Sequence, residues 1–204
     1  MITGSPITAS PLQLSGNGTP RTLRCRALQS PLAGVSDRIF RGLVRRWAPD
    51  ALLFTEMVNA TSLELGHGLQ KVEELSSEEG PIGVQLFDHR PAAMADAAHR
   101  AEAAGAFLID INMGCPVDKV AKKHGGSLLL CQVGDTVQLA SRIVEAVRKH
   151  TNGRVPVTAK IRLGWDPERF VAPQLARDLE NVGIAAVTVH GRFTCQMFSG
   201  EADW

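Results

Sequence analysis

Short apolar runs alternate along the chain with longer stretches whose apolar residues recur at helical spacing. The runs "CRALQS" (25–30), "ALLFTEM" (51–57), "PIGVQLF" (81–87), "AFLIDIN" (106–112), "VPVTAKIR" (155–162) and "AAVTVHG" (185–191) are predicted strands, the first of them weak. Between the first two, Ser36 or Asp37 can cap a helix over "RIFRGLVRRW" (38–47), whose Ile39, Phe40, Leu43 and Val44 share one face. Pro91 stands in the first turn of an alanine-rich helix that Gly105 ends. A short helix through "VDKVAKK" (117–123), a longer one over "DTVQLASRIVEAVRKH" (135–150) and one over 167–183, disturbed near Pro173, complete the series.

Most strand runs are almost continuously apolar, as parallel strands covered on both faces are. Alternating strand and helix suits either an open doubly wound sheet or a (β/α)8 barrel. The polar residues favour the barrel. Gln85, Asn112 with Cys115, Lys160 with Arg162, and His190 with Arg192 stand at the C-terminal ends of successive strands. Chemistry spread over many strand ends is a barrel habit. A doubly wound sheet collects its ligand behind a glycine-rich first turn, and "PLAG" after the first strand is not that fingerprint.

The chain has 204 residues, 44% hydrophobic and 21% charged, enough for one sizeable core. No apolar run reaches the roughly 18 residues of a membrane helix, so no membrane partner and a cytoplasmic location are expected. The opening residues carry no charge before Arg21 and no long apolar segment, unlike a secretory signal. Being rich in Ser, Thr, Gly and Pro, residues 1–24 read as an irregular lead-in to a barrel domain over 25–204. Four widely spaced cysteines, with no CxxC pair, point to a reducing compartment and to neither a disulfide framework nor a metal site. Cys25 and Cys131 read as small core residues. The net charge of +1 decides nothing about nucleic acid. Local clusters, such as Lys119, Lys122 and Lys123, read equally well as solvated faces.

The densest chemistry lies in "DINMGCPVDKVAKKHGG" (110–126), where one thiol follows a strand and precedes three lysines and a histidine. With "SPLAGVSDRIFR", "GVQLFD", "VTAKIRLGWD" and "VTVHGRFTCQMFSGEADW", in that order, it resembles the tRNA-dihydrouridine synthases from about Ser30 to Trp204. The resemblance implies a (β/α)8 TIM barrel followed by a helical domain, and a monomer at full length. It implies FMN as cofactor, NADPH or NADH as reductant, and tRNA as substrate, reduced at the C5–C6 bond of selected uridines.

The resemblance also implies roles. Cys115 is the proton donor to C5, a task suited to a thiol that keeps its proton at neutral pH. Lys160 and His190 are flavin ligands, Gln85 bonds the flavin edge, and Pro31, Leu32 and Ala33 lie against the ring. Asn112 and Arg162 meet the extruded uracil or nearby RNA, and Arg38 approaches RNA. Lys119, Lys122 and Lys123 are expected to face tRNA phosphates, because lysines turned on the sulfur would favour thiolate.

One feature departs from the family pattern. About six β/α units are readable, where a closed barrel has eight. Strands seven and eight, whose loops hold the FMN phosphate in the family, and the helical domain are missing. The expectation is an incomplete barrel, part of a longer chain, that keeps ring contacts and lacks the phosphate anchor. Two other readings stay open: a dihydroorotate-dehydrogenase-like flavin barrel acting on a free pyrimidine, and a non-catalytic RNA-binding fragment.

Overall fold

A computed structural model of the chain describes residues 10–15 and 20–203. Its centre is a parallel sheet built from β3 (Leu53–Phe54), β4 (Val58–Asn59), β5 (Ile82–Phe87), β6 (Leu108–Met113), β7 (Val157–Arg162) and β8 (Val187–His190). Strands β3, β5, β6, β7 and β8 lie side by side in that order, with β4 also pairing with β5. The helices α4 (Pro91–Ala103), α6 (Val133–His150) and α7 (Ala172–Asn181) connect successive strands. This is an incomplete (β/α)8 barrel, as expected.

The strands alternate strictly in what they bury. Ile82, Val84 and Leu86 of β5, Ile109, Ile111 and Met113 of β6, and Val157, Ala159 and Ile161 of β7 join the apolar layer under the helices. Alternate side chains of a strand take opposite faces, so Gln85, Asp110, Asn112, Thr158, Lys160 and Arg162 all point inward. Helix α4 carries buried Ala93, Ala97, Ala98 and Ala101 on its sheet-facing side, and such small residues let it approach closely. Pro173 sits at the start of α7, where its missing N–H costs nothing. It separates α7 from a 3-10 turn at Pro167–Arg169, which accounts for the disturbance read near it.

Several expectations need correction. Residues 1–24 are not wholly an irregular lead-in: β1 (Leu12–Leu14) and β2 (Arg21–Leu23) form an antiparallel hairpin. Leu14 and Leu23 pack with Leu52, Phe54 and Leu108, closing the inner face at the N-terminal end of the strands. Arg21 ties the hairpin down by donating to the Arg154 carbonyl at 3.2 and 3.0 Å. Residues 1–9 and 16–19 of that segment lie outside the described residues. The predicted strand at 25–30 is reduced to one parallel bridge, Leu28 to Leu52. Of the strand at 51–57 only β3 forms, and β4 follows beyond its predicted end, after Thr55–Met57. Cys131 is exposed, not core.

Helix α1 (Arg38–Trp47) is capped by Asp37, which accepts from the Phe40 N–H at 2.8 Å. Its apolar face is covered only in part, with Phe40 and Val44 half-buried. Ile39 is 75% and Trp47 91% exposed, while Arg41 is buried. The chain after β4 holds two further short helices, α2 (Ala60–Glu64) and α3 (Gln70–Glu73), and a 3-10 turn at Glu74–Ser77. That turn and the residue after it supply Glu74 and Glu78 to the Arg41 guanidinium.

Candidate active site

Parallel register sorts the inward side chains into levels. Gln85, Asp110 and Thr158 are direct neighbours across β5, β6 and β7. Two residues on, Asn112 pairs with Lys160, and beyond that Arg162 pairs with His190. The apolar plug closes the lower end, so polar groups accumulate towards the C-terminal ends of the strands.

Cys115 lies just past β6, in a turn that its neighbours hold from several sides. Asn112 Oδ1 accepts from the N–H groups of Gly114 at 3.1 Å and Cys115 at 2.9 Å. The chain then runs through α5 (Asp118–Ala121) and comes back. On return, the Ser127 N–H donates to the Cys115 carbonyl at 2.9 Å. Gly126 makes that return possible. Its φ is +65°, and a Cβ there would stand 2.4 Å from the Cys115 carbonyl oxygen. Arg162 clamps the same region. Its guanidinium donates to the carbonyls of Gly114 at 2.9 Å, Phe193 at 2.8 Å and Met197 at 2.8 Å.

These groups open on one cavity of about 350 Å³. Pro31, Leu32, Ala33, Gln85, Asn112, Cys115, Lys160, Arg162 and His190 line it together. Sequence reasoning placed all of them at a site. It missed Val35, Met57, Val117 and Phe198, which supply much of the apolar wall. Their apolar character gave no signal of its own.

The electrostatics follow from burial. Burial lowers the pKa of Lys160, and the Asp110 carboxylate opposes that. Burial, reinforced by the positive charges of Lys160, Arg162 and Arg192, depresses the His190 imidazole and favours its neutral form. Its Nδ1 is buried with no hydrogen-bond partner among the described residues. Asp110 is pushed up to about 6 by burial, against hydrogen bonds from Thr158 and Gln85 and the charge of Lys160.

The remaining predicted residues lie elsewhere. Lys119 and Lys123 line a neighbouring cavity of about 310 Å³ that shares Ala33 and Met57 with the first. Lys123 Nζ donates to Asn59 Oδ1 and Ser62 Oγ, both at 3.2 Å. Lys122 is exposed and lines neither cavity. Arg38, the first residue of α1, is exposed and outside both. None of the three lysines lines the cavity that Cys115 faces.

A planar ring with polar edges suits the Cys115 cavity. Leu32, Val35, Met57 and Phe198 offer apolar walls, Gln85 and Lys160 offer polar groups, and His190 Nδ1 lacks a partner among the described residues. The isoalloxazine ring of a flavin has that character. Among the described residues, no helix is long and apolar enough to cross a membrane.

Comparison with known proteins agrees with the geometry. Morphinone reductase resembles the chain in fold, with a TM-score of 0.61 at 15% identity, over 100% of this chain and 76% of that one. A probable tRNA-dihydrouridine synthase 1 of Synechocystis sp. is 47% identical over 198 residues, 97% of this chain and 53% of that protein. A probable tRNA-dihydrouridine synthase of Rickettsia bellii is 40% identical over 184 residues, 89% of this chain and 54% of that protein. The chain thus spans about half the length of the curated relatives it matches. The model of the dihydrouridine synthase (Dus) family matches residues 28–204, from the bridge at Leu28 through every element of the site, and the chain belongs to that family.

Proposed function

We propose that this chain carries the uridine-reducing centre of a tRNA-dihydrouridine synthase. FMN binds in the Cys115 cavity, NADPH or NADH serves as reductant, and the C5–C6 bond of a tRNA uridine is reduced. The observation that carries the reading is the convergence of a thiol, a half-buried lysine and a histidine whose Nδ1 has no partner among the described residues on one cavity in a member of the Dus family.

Gln85, Lys160, His190 and the Pro31–Ala33 segment would hold the flavin, which supplies the hydride for uracil C6. Negative charge then builds at C5 and the adjacent carbonyl, and Cys115 delivers a proton to C5. The sulfur is left anionic near Lys160 and Arg162, whose positive charge offsets it. Arg162 has committed donors to three carbonyls, so towards the base it contributes mainly charge and the shape of the Cys115 turn. Asn112 holds that turn directly.

A base can reach this cavity only out of its stack. Lys119 and Lys123 on the neighbouring cavity, with Lys122 exposed beside them in sequence and Arg38 exposed at the start of α1, are suited to phosphates of the strand that delivers it. That basic surface and the family membership favour RNA over a free pyrimidine.

Nucleoside mass spectrometry of tRNA, before and after deletion of the encoding gene, tests the reading. Dihydrouridine is expected to vanish from at least one tRNA position and to return on re-expression. Unchanged dihydrouridine in a strain with no second such enzyme overturns it.

A further inference from the structure

Asp110 is 2% exposed, points to the inside of the barrel, and has no part in the chemistry above. Both of its oxygens are nevertheless engaged. Oδ2 accepts from Gln85 Nε2 at 2.7 Å, and Oδ1 accepts from Thr158 Oγ1 at 2.7 Å. Gln85 Oε1 in turn accepts from Asn112 Nδ2 at 2.8 Å. Asn112 Oδ1 accepts from the Gly114 and Cys115 N–H groups.

The two ends of this chain of bonds leave no freedom in the middle. An ionised carboxylate can only accept, and a backbone N–H can only donate. Gln85 must therefore turn its nitrogen to Asp110, and Asn112 must turn its oxygen to the Cys115 turn. Reversing either amide would set N–H against N–H or oxygen against oxygen. A buried polar chain with one permitted direction is rigid, whereas an amide fixed at one end only can flip.

Charge gives Asp110 a second connection. Lys160 is faced by Asp110 and Cys115 from β6 and its loop, by Arg162 on its own strand and by His190 from β8. Asp110 is the carboxylate among them. We propose that Asp110 is a positioning residue of this centre, fixing the direction of the Gln85 and Asn112 amides, and so the Cys115 turn, while its carboxylate supports the Lys160 ammonium. The raised pKa of its carboxyl, about 6, agrees with a charge kept in the interior at a cost.

The roles of Cys115 and Lys160 rest on the proposed function. The test therefore uses two probes on the full chain that need neither flavin nor RNA. One is the rate of Cys115 alkylation by iodoacetamide, located by peptide mass spectrometry. The other is the pH midpoint of Lys160 reductive methylation by formaldehyde and borane.

Asp110→Asn can still accept from Gln85 and can donate to Thr158, so it removes charge without reversing the relay. Its expected signature is an unchanged alkylation rate and a Lys160 midpoint lower by about one pH unit. Asp110→Leu removes both functions, and alkylation should also rise about fivefold, the equivalent of one lost hydrogen bond. Thr158→Val removes a bond to Asp110 outside the relay; it should leave alkylation unchanged and move the Lys160 midpoint less than Asp110→Asn does. The proposal is overturned if Asp110→Asn disturbs Cys115 as Asp110→Leu does, if it leaves the Lys160 midpoint in place, or if Asp110→Leu leaves alkylation unchanged. Should Asp110→Leu fail to fold, Asp110→Ala, which also cuts the Gln85 bond, takes its place with the same two readouts and the same overturning results. Absence of uridine reduction would leave these readouts intact, so the two proposals can fail separately.

Discussion

Two arginines are almost removed from solvent, Arg41 at 1% and Arg162 at 3% exposure, and they are held in opposite ways. Arg41, on α1, donates to Glu78 Oε2 at 3.0 Å and Glu74 Oε1 at 3.0 Å, and pairs with the second oxygen of Glu78 as well. Its remaining nitrogen, Nη1, donates to the Ser36 carbonyl at 2.7 Å. The charge is cancelled, and the pairing fastens α1 to the turn after α3. Arg162 makes no ion pair among the described residues and spends its donors on three backbone carbonyls. Its charge stays open beside Lys160 and Arg192. Burial alone does not separate scaffold from site. What separates them is whether the protein neutralises the charge it buries.

Removing Arg41 should have the largest effect on the fold. Arg41→Ala strands two partly buried carboxylates, and urea unfolding should register a loss of about 3–5 kcal/mol. The alkylation rate of Cys115 in the still-folded protein should stay near wild type. A loss confined to the site would erase the contrast.

The next effect is a pH dependence. The Asp110 pKa is raised in the fold from the ordinary 3.8 to about 6. Such a group contributes fully to stability below the ordinary value and loses that contribution as pH rises through about 6. Relative to Asp110→Asn, the wild type should lose on the order of 3 kcal/mol between about pH 4 and about pH 8. Paired urea titrations at the two pH values measure this, and a difference of opposite sign would contradict the assigned burial.

Arg162→Lys retains the charge and gives up the three-way clamp. A stability loss of about 2 kcal/mol is expected, smaller than for Arg41, together with faster Cys115 alkylation. Equal losses at the two arginines, with Cys115 unaffected, would mean both are scaffold. The smallest effect belongs to the face of α1 that periodicity marks as core. Ile39→Ser should change stability by less than about 0.5 kcal/mol, because Ile39 already meets solvent.

The inner polar residues were legible because each interrupts an apolar run at a strand end, as Gln85, Asn112 and Lys160 do. Asp110 shares the parity of Asn112, two residues earlier in the same run, and that alternation was the available signal for it. Helical spacing on α1 reported an apolar face correctly but could not report what covers it. The buried side chain there is Arg41, paired with residues 33 and 37 positions away, and no local pattern carries that information. The hairpin was hidden for a related reason. Strands of three residues are too short to set a period, and the Ser, Thr, Gly and Pro around them read as loop. The apolar walls of the cavity, Met57 and Phe198 among them, become a site only when distant segments meet.

The most direct test of the account replaces Cys115 with Ala in the chromosomal gene and measures dihydrouridine at the tRNA position from which deletion of the gene is expected to remove it. Loss of a positioned general acid is expected to slow reduction at least about 100-fold and leave that position as uridine, although the protein still folds. Dihydrouridine at wild-type level from the Cys115→Ala allele would contradict the assignment of Cys115 as the proton donor.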